Sequence, residues 1–107
     1  MQIGSFHQAG DGFVGRLQTL TLDVPLRLVP VPDHGSDKAP DWRIHLDDVA
    51  HGAAVGSGWT RRPDGRPHFI MVQLDCPGLT RPLRASLRRT ADHPDRHVLV
   101  WARQKVD

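Results

Sequence analysis

The sequence predicts an all-β fold, a single domain over residues 1–107 built as a small barrel or sandwich of seven or eight mostly antiparallel strands. Three observations predict it. Apolar side chains recur at every second position in run after run, the period of a half-buried strand. Turn-forming dipeptides separate those runs at regular intervals. The composition is poor in helix formers: all twelve acids are aspartate, twelve of the fourteen bases are arginine, and ten glycines and nine prolines punctuate the chain.

The clearest strand is the run from Leu20 to Leu28, where Leu20, Leu22, Val24, Leu26 and Leu28 alternate with Thr21, Asp23, Pro25 and Arg27. Pro25 has no N–H to give to a ladder, so it predicts an edge or a bulge. The phase changes at Val29 and Val31, which suits a bulge or a bend onto a second sheet. Trp42, Ile44 and Leu46 continue the theme against Arg43, His45 and Asp47. Ile70, Val72 and Leu74 alternate with Phe69, Met71 and Gln73, a strand covered on both faces at its start. Leu83, Ala85 and Leu87 alternate with Arg84, Ser86 and Arg88, and residues 97–103 form the last run.

Between them, Asp11-Gly12 and Asp64-Gly65 predict hairpin turns, because glycine supplies positive φ without a steric penalty. Pro77-Gly78 and His93-Pro94-Asp95 predict two more. Pro30 to Pro40 reads as the longest loop. Gly52 to Gly58 reads either as a strand start with a bulge or as a loop against which another backbone packs. Phe6, Phe13, Trp42, Phe69 and Trp101 are the expected core aromatics, and Trp59 is the one expected outside.

Several activities lack their chemistry here. Cys76 is the one cysteine, which excludes an internal disulfide and any CxxC site. The seven histidines show no HxH or HExxH spacing, so no metal site is expected; the cross-strand pair His45 and His68 stays open. Gly56-Ser57-Gly58 is not a nucleophile elbow, no phosphate-loop motif is present, and the adjacent Asp47 and Asp48 would point to opposite faces of a strand. No catalytic residue and no cofactor is expected. The N-terminal residues lack a basic segment followed by an apolar run, and no apolar stretch has membrane-spanning length; a cytoplasmic protein without membrane contact is the expectation.

The charge is uneven. Residues 1–54 carry four bases and seven acids, a balance of −3; residues 55–107 carry ten bases and five acids, a balance of +5. Such asymmetry marks a surface for anionic partners, unless folding mixes the two halves. Arg84 and Arg88 share one face of a strand, with Arg81 and Arg89 beside them; Trp59 precedes Arg61 and Arg62, and Arg66 follows the next turn. Guanidinium groups pair with phosphates and an exposed indole stacks on bases, the combination used by single-strand binders on small barrels. The plainer account is a solvated outer face with Trp59 in the core.

The order Ile3-Gly4-Ser5-Phe6, Asp11-Gly12-Phe13-Val14-Gly15 and Leu17-Gln18-Thr19-Leu20-Thr21-Leu22 resembles the start of the domain of unknown function 736 family. Ser36-Asp37-Lys38-Ala39-Pro40-Asp41-Trp42, Gly56-Ser57-Gly58-Trp59, Val72-Gln73-Leu74-Asp75 and Leu99-Val100-Trp101 extend the resemblance along nearly the whole chain. The resemblance implies a small β protein of proteobacterial mobile genetic elements, with no established catalytic residues. Cys76 and the basic Arg84/Arg88 strand depart from the usual pattern of that family. The expected function is therefore non-catalytic binding of nucleic acid, or of a nucleic-acid-handling complex, through Trp59, Arg61, Arg62, Arg66, Arg81, Arg84, Arg88 and Arg89. The alternative is a protein-binding inhibitor of a host defence complex, such as a CRISPR or restriction system, using the same arginines.

Overall fold

The computed structural model describes residues 1–32, 39–46, 52–77, 79–91, 93 and 95–101. Eight strands follow in chain order: β1 (Gln2–Ala9), β2 (Gly12–Gln18), β3 (Asp23–Pro30), β4 (Trp42–Leu46), β5 (Ala54–Arg61), β6 (Phe69–Leu74), β7 (Leu83–Arg89) and β8 (Arg96–Val100). Each pairs antiparallel with the next, and β8 returns to β1, so the sheet closes as a barrel. Closure leaves no unpaired edge strand. Of the two architectures the sequence predicts, the structure selects the barrel.

The pleat explains the core. Phe13, Leu28, Ile44, Gly56, Leu74 and Leu83 stand opposite one another across six successive strands. The buried interior contains Ile3, Phe6, Leu17, Leu26, Val72, Leu87 and Leu99 as well, and no described polar or charged residue is buried with them. An eight-stranded barrel has an interior just wide enough for side chains to fill. Gly15 makes room for the largest of them: a Cβ there would lie 2.6 Å from Phe6 Cγ. Binding chemistry is consequently confined to the outer wall and the two mouths.

Several expectations are corrected. The first hairpin turns at Gly10-Asp11, one residue earlier than predicted. Gly10 carries the positive φ of 62°, while Gly12 is already in β2 opposite Ala9. Leu20 does not face the core but is fully exposed, because the chain turns between Thr19 and Leu22. The Thr19 N–H donates to the Leu22 carbonyl at 2.8 Å, and the Leu22 N–H donates to Thr19 Oγ1 at 3.1 Å. Pro25 causes no bulge: β3 runs through it in register with Arg16, and pairing with β4 begins only at Leu26. Nor does the phase change at Val29, which is an exposed outward residue of an unbroken strand.

The register shifts fall elsewhere, between Gln2 and Gly4 in β1 and between Ile44 and His45 against β5. The second shift makes the Gly52–Gly58 segment a strand start with a bulge, with Val55 as the extra residue. The Asp64-Gly65 turn stands as predicted, with Gly65 at φ 69° and the Arg66 N–H donating to the Pro63 carbonyl. The predicted loop centre at 33–38, Asp47, Asp48, His34, His51, Gly78, Pro94 and the end of the last run lie outside the described residues. No helix among the described residues is long and apolar enough to cross a membrane.

Candidate functional site

The inward aliphatics of β5 to β8 send the alternate residues outward, and the register lines these up. Trp59 stands opposite Met71, Met71 opposite Ser86, and Ser86 opposite Val100, one continuous row across four strands. Arg61 is opposite Phe69, Arg84 opposite Gln73, and Arg88 opposite Val98. Trp59, Met71, Ser86 and Val100 are half-buried, whereas Arg61, Arg84 and Arg88 are exposed. Ser86 is the small residue in the row, and its size leaves a depression between larger neighbours. The result is a shallow groove of about 530 Å³ with an apolar floor and three arginines around it.

The electrostatics of this wall are one-sided. No aspartate lines the groove. On the opposite side of the barrel, Arg16 Nε meets Asp23 Oδ1 at 2.9 Å, joining β2 to β3. Strand order equals chain order, so the arginine-rich second half of the sequence forms one side of the barrel, while among the described residues of the first half three arginines (Arg16, Arg27, Arg43) balance three aspartates (Asp11, Asp23, Asp41). The strands of the two halves do not interleave. Phe69 is corrected here: it lies on the outward phase of β6, outside the core, and the Arg88 guanidinium covers its ring at 4.2 Å from the centroid. That contact and the half-buried Met71 account for the two-sided coverage expected of this strand.

Of the eight predicted site residues, the structure brings together Trp59, Arg61, Arg84 and Arg88. Arg66 and Arg89 gather elsewhere, at one mouth of the barrel, beside His68 and His97. Arg62, just past the end of β5, and Arg81, before β7, are exposed and line neither place. Met71, Gln73, Ser86 and Val100 belong to the wall but were not among the predicted site residues. Their signal was present in the outward phase of the same alternation that located the core.

The remaining candidates have ordinary roles. Trp42 is part of the core boundary, donating from Nε1 to Thr60 Oγ1 at 3.0 Å, and Trp101 packs against the core. His45 and His68 do not pair; His45 Nδ1 lies 3.0 Å from the Gly52 carbonyl oxygen. Among the described residues no three metal-ligating side chains converge, and Cys76 is a half-buried free thiol.

No curated protein and no solved structure matches the chain. A family match does exist, to proteins described as "Protein of unknown function (DUF736)", and it covers residues 2–104. With the match running almost end to end, the chain belongs to the DUF736 family.

Proposed function

We propose that this is a non-catalytic binding protein that takes single-stranded nucleic acid on the outer wall of β5 to β8. The observation that carries the reading is the groove itself, in which Arg61, Arg84 and Arg88 surround the Trp59–Met71–Val100 floor with no acid among its walls. Guanidinium forks pair with backbone phosphates, and bases stack on the indole or pack on the apolar floor. Arg88 keeps its N–H edges available for phosphate while its face lies on Phe69, since stacking and in-plane hydrogen bonding use different parts of the guanidinium. A cytoplasmic setting on a mobile genetic element is part of the same proposal, and its support is the family resemblance.

The test is a titration of fluorescent single- and double-stranded oligonucleotides at several salt concentrations. Binding that weakens steeply with salt and favours the single strand is expected. Absence of binding even at low salt would sink the reading. If host protein from a nuclease-treated lysate were then retained through Arg84 and Arg88, inhibition of a defence complex would replace it.

A further inference from the structure

Beyond the end of the core, the inward phase of β7 and β8 passes from Leu87 opposite Leu99 to Arg89 opposite His97. His97 is also the partner of inward-facing Phe6 across β1. Arg89 therefore stands at the rim of the barrel, on the opposite phase from Arg84 and Arg88. The β5–β6 hairpin, turning at Asp64-Gly65, brings Arg66 and His68 to the same rim. With Pro67 these four residues line a groove of about 470 Å³ in which no wall residue is an acid. A smaller cavity of about 150 Å³, lined by Trp42, Ile70 and Leu87 among others, shares His68 and His97 with it.

The His97 ring is held firmly at the base of this rim. It packs edge-to-face with Phe13, the centroids 4.6 Å apart, and its Nδ1 is shut off from solvent without a hydrogen-bond partner of good geometry. Burial first, and then the Arg89 charge, push its pKa below the ordinary imidazole range; the backbone and carboxylate of Asp95 act in the opposite direction. Two arginines and two histidines thus line one groove. Arginine forks match the oxygens of phosphate, and an anion between like charges turns their repulsion into attraction.

We propose that this barrel mouth, formed by Arg66, His68, Arg89 and His97, binds a phosphate oxyanion. The site is separate from the outer-wall groove and stands or falls independently of it. Arg66 and Arg89 hold the phosphate oxygens, while His68 and His97 contribute ring N–H donors.

The test is to follow the histidine Cε1–H resonances of the full chain by NMR during titration with inorganic phosphate, with sodium chloride at matched ionic strength as control. His97→Gln and His68→Gln supply the assignments. Saturable shifts of the His68 and His97 signals are expected, reduced at least tenfold in affinity by Arg66→Gln/Arg89→Gln and unchanged by Arg84→Gln/Arg88→Gln. Both mouth arginines are exposed, and circular dichroism checks that the variant folds. Arg66→Lys/Arg89→Lys, which keeps the charge and removes the forks, should bind more weakly than wild type. Shifts no larger than those in sodium chloride, or shifts indifferent to Arg66→Gln/Arg89→Gln, overturn the proposal. A short oligonucleotide identifies the source of the phosphate: competition with inorganic phosphate means that a strand phosphate occupies the mouth, and simultaneous binding means a free one.

Discussion

The Arg88 guanidinium lies 4.2 Å from the centroid of the Phe69 ring, outside the barrel and one strand away in the sheet. The contact ties the charge pattern of β7 to the aromatic start of β6. It shields a phenylalanine that the pleat directs outward and holds a cation at the border of the groove. Exposed cation–π contacts contribute about 0.5–1 kcal/mol. Arg88→Gln should therefore lower unfolding stability by about that much in urea denaturation, and Arg88→Lys by less. In Phe69→Leu, replacing Arg88 should have almost no further effect on stability, which a double-mutant cycle would establish.

On the outer wall, each arginine that neutralises a phosphate of a single strand should add about 0.7 to the slope of log affinity against log salt. Arg84→Gln is expected to reduce that slope by about this amount while leaving the denaturation midpoint nearly unchanged, since Arg84 is exposed. Trp59→Ala should weaken binding by about 1–3 kcal/mol, the usual worth of one base stack, with a smaller dependence on salt. A slope unchanged by Arg84→Gln would remove this residue from the interface.

Inside the barrel, the Phe6 ring occupies the space in front of Gly15. A Cβ at Gly15 would come within 2.2 Å of the Ser5 carbonyl oxygen as well as 2.6 Å of Phe6 Cγ. Gly15→Ala should therefore destabilise by about 1–3 kcal/mol through overpacking, read as a lower denaturation midpoint with an unchanged slope.

Two leucines separate burial from mere hydrophobicity. Leu87 is 1% exposed and Leu20 is 102% exposed. Leu87→Ala should cost about 2–5 kcal/mol, whereas Leu20→Ala should stay within about 0.5 kcal/mol of wild type. Equal effects in thermal or urea unfolding would contradict the turn at residues 19–22.

His97 gives the fold a pH dependence on the acid side. Its folded pKa lies below its ordinary value of 6.5, chiefly because burial disfavours the charged ring. The unfolded chain therefore takes up the proton first as pH falls. The contribution of His97 is complete above about pH 6.5–7 and declines as pH drops through 6.5 towards the folded pKa. His97→Gln should flatten stability against pH over that interval, measured by urea denaturation at stepped pH values. By NMR, the His97 ring should titrate below its ordinary value of 6.5.

Much of the fold was legible because it rests on a local rule. Alternation located β6 to the residue, β7 to within one and the start of β4 at Trp42, since one buried face imposes period two on any strand. The short apolar spacing of β1, β2 and β5 is broken by Gly4, Gly12, Gly15, Gly56 and Gly58, so those strands carried no such clear pattern. The glycines are there because large neighbours such as Phe6 and Leu74 fill the space a side chain would need. That requirement comes from across the sheet and leaves no periodic trace. Leu20 misled for the opposite reason: its spacing fits the strand, but the Thr19 hydroxyl closes a turn before the strand begins.

The candidate site divides in the same way. The all-β class, the arginine-rich second half and the shared face of Arg84 and Arg88 follow from residue type and period alone, without the fold. Closure of the sheet in chain order emerges only in the folded chain, and it gathers the arginine-rich strands on one side of the barrel. Folding also sends Arg88 and Arg89, adjacent in sequence, to different places, one beside Phe69 on the wall and one opposite His97 at the mouth. The reason is the pleat: successive residues face opposite sides of a sheet, and only the register with neighbouring strands says what each one meets there.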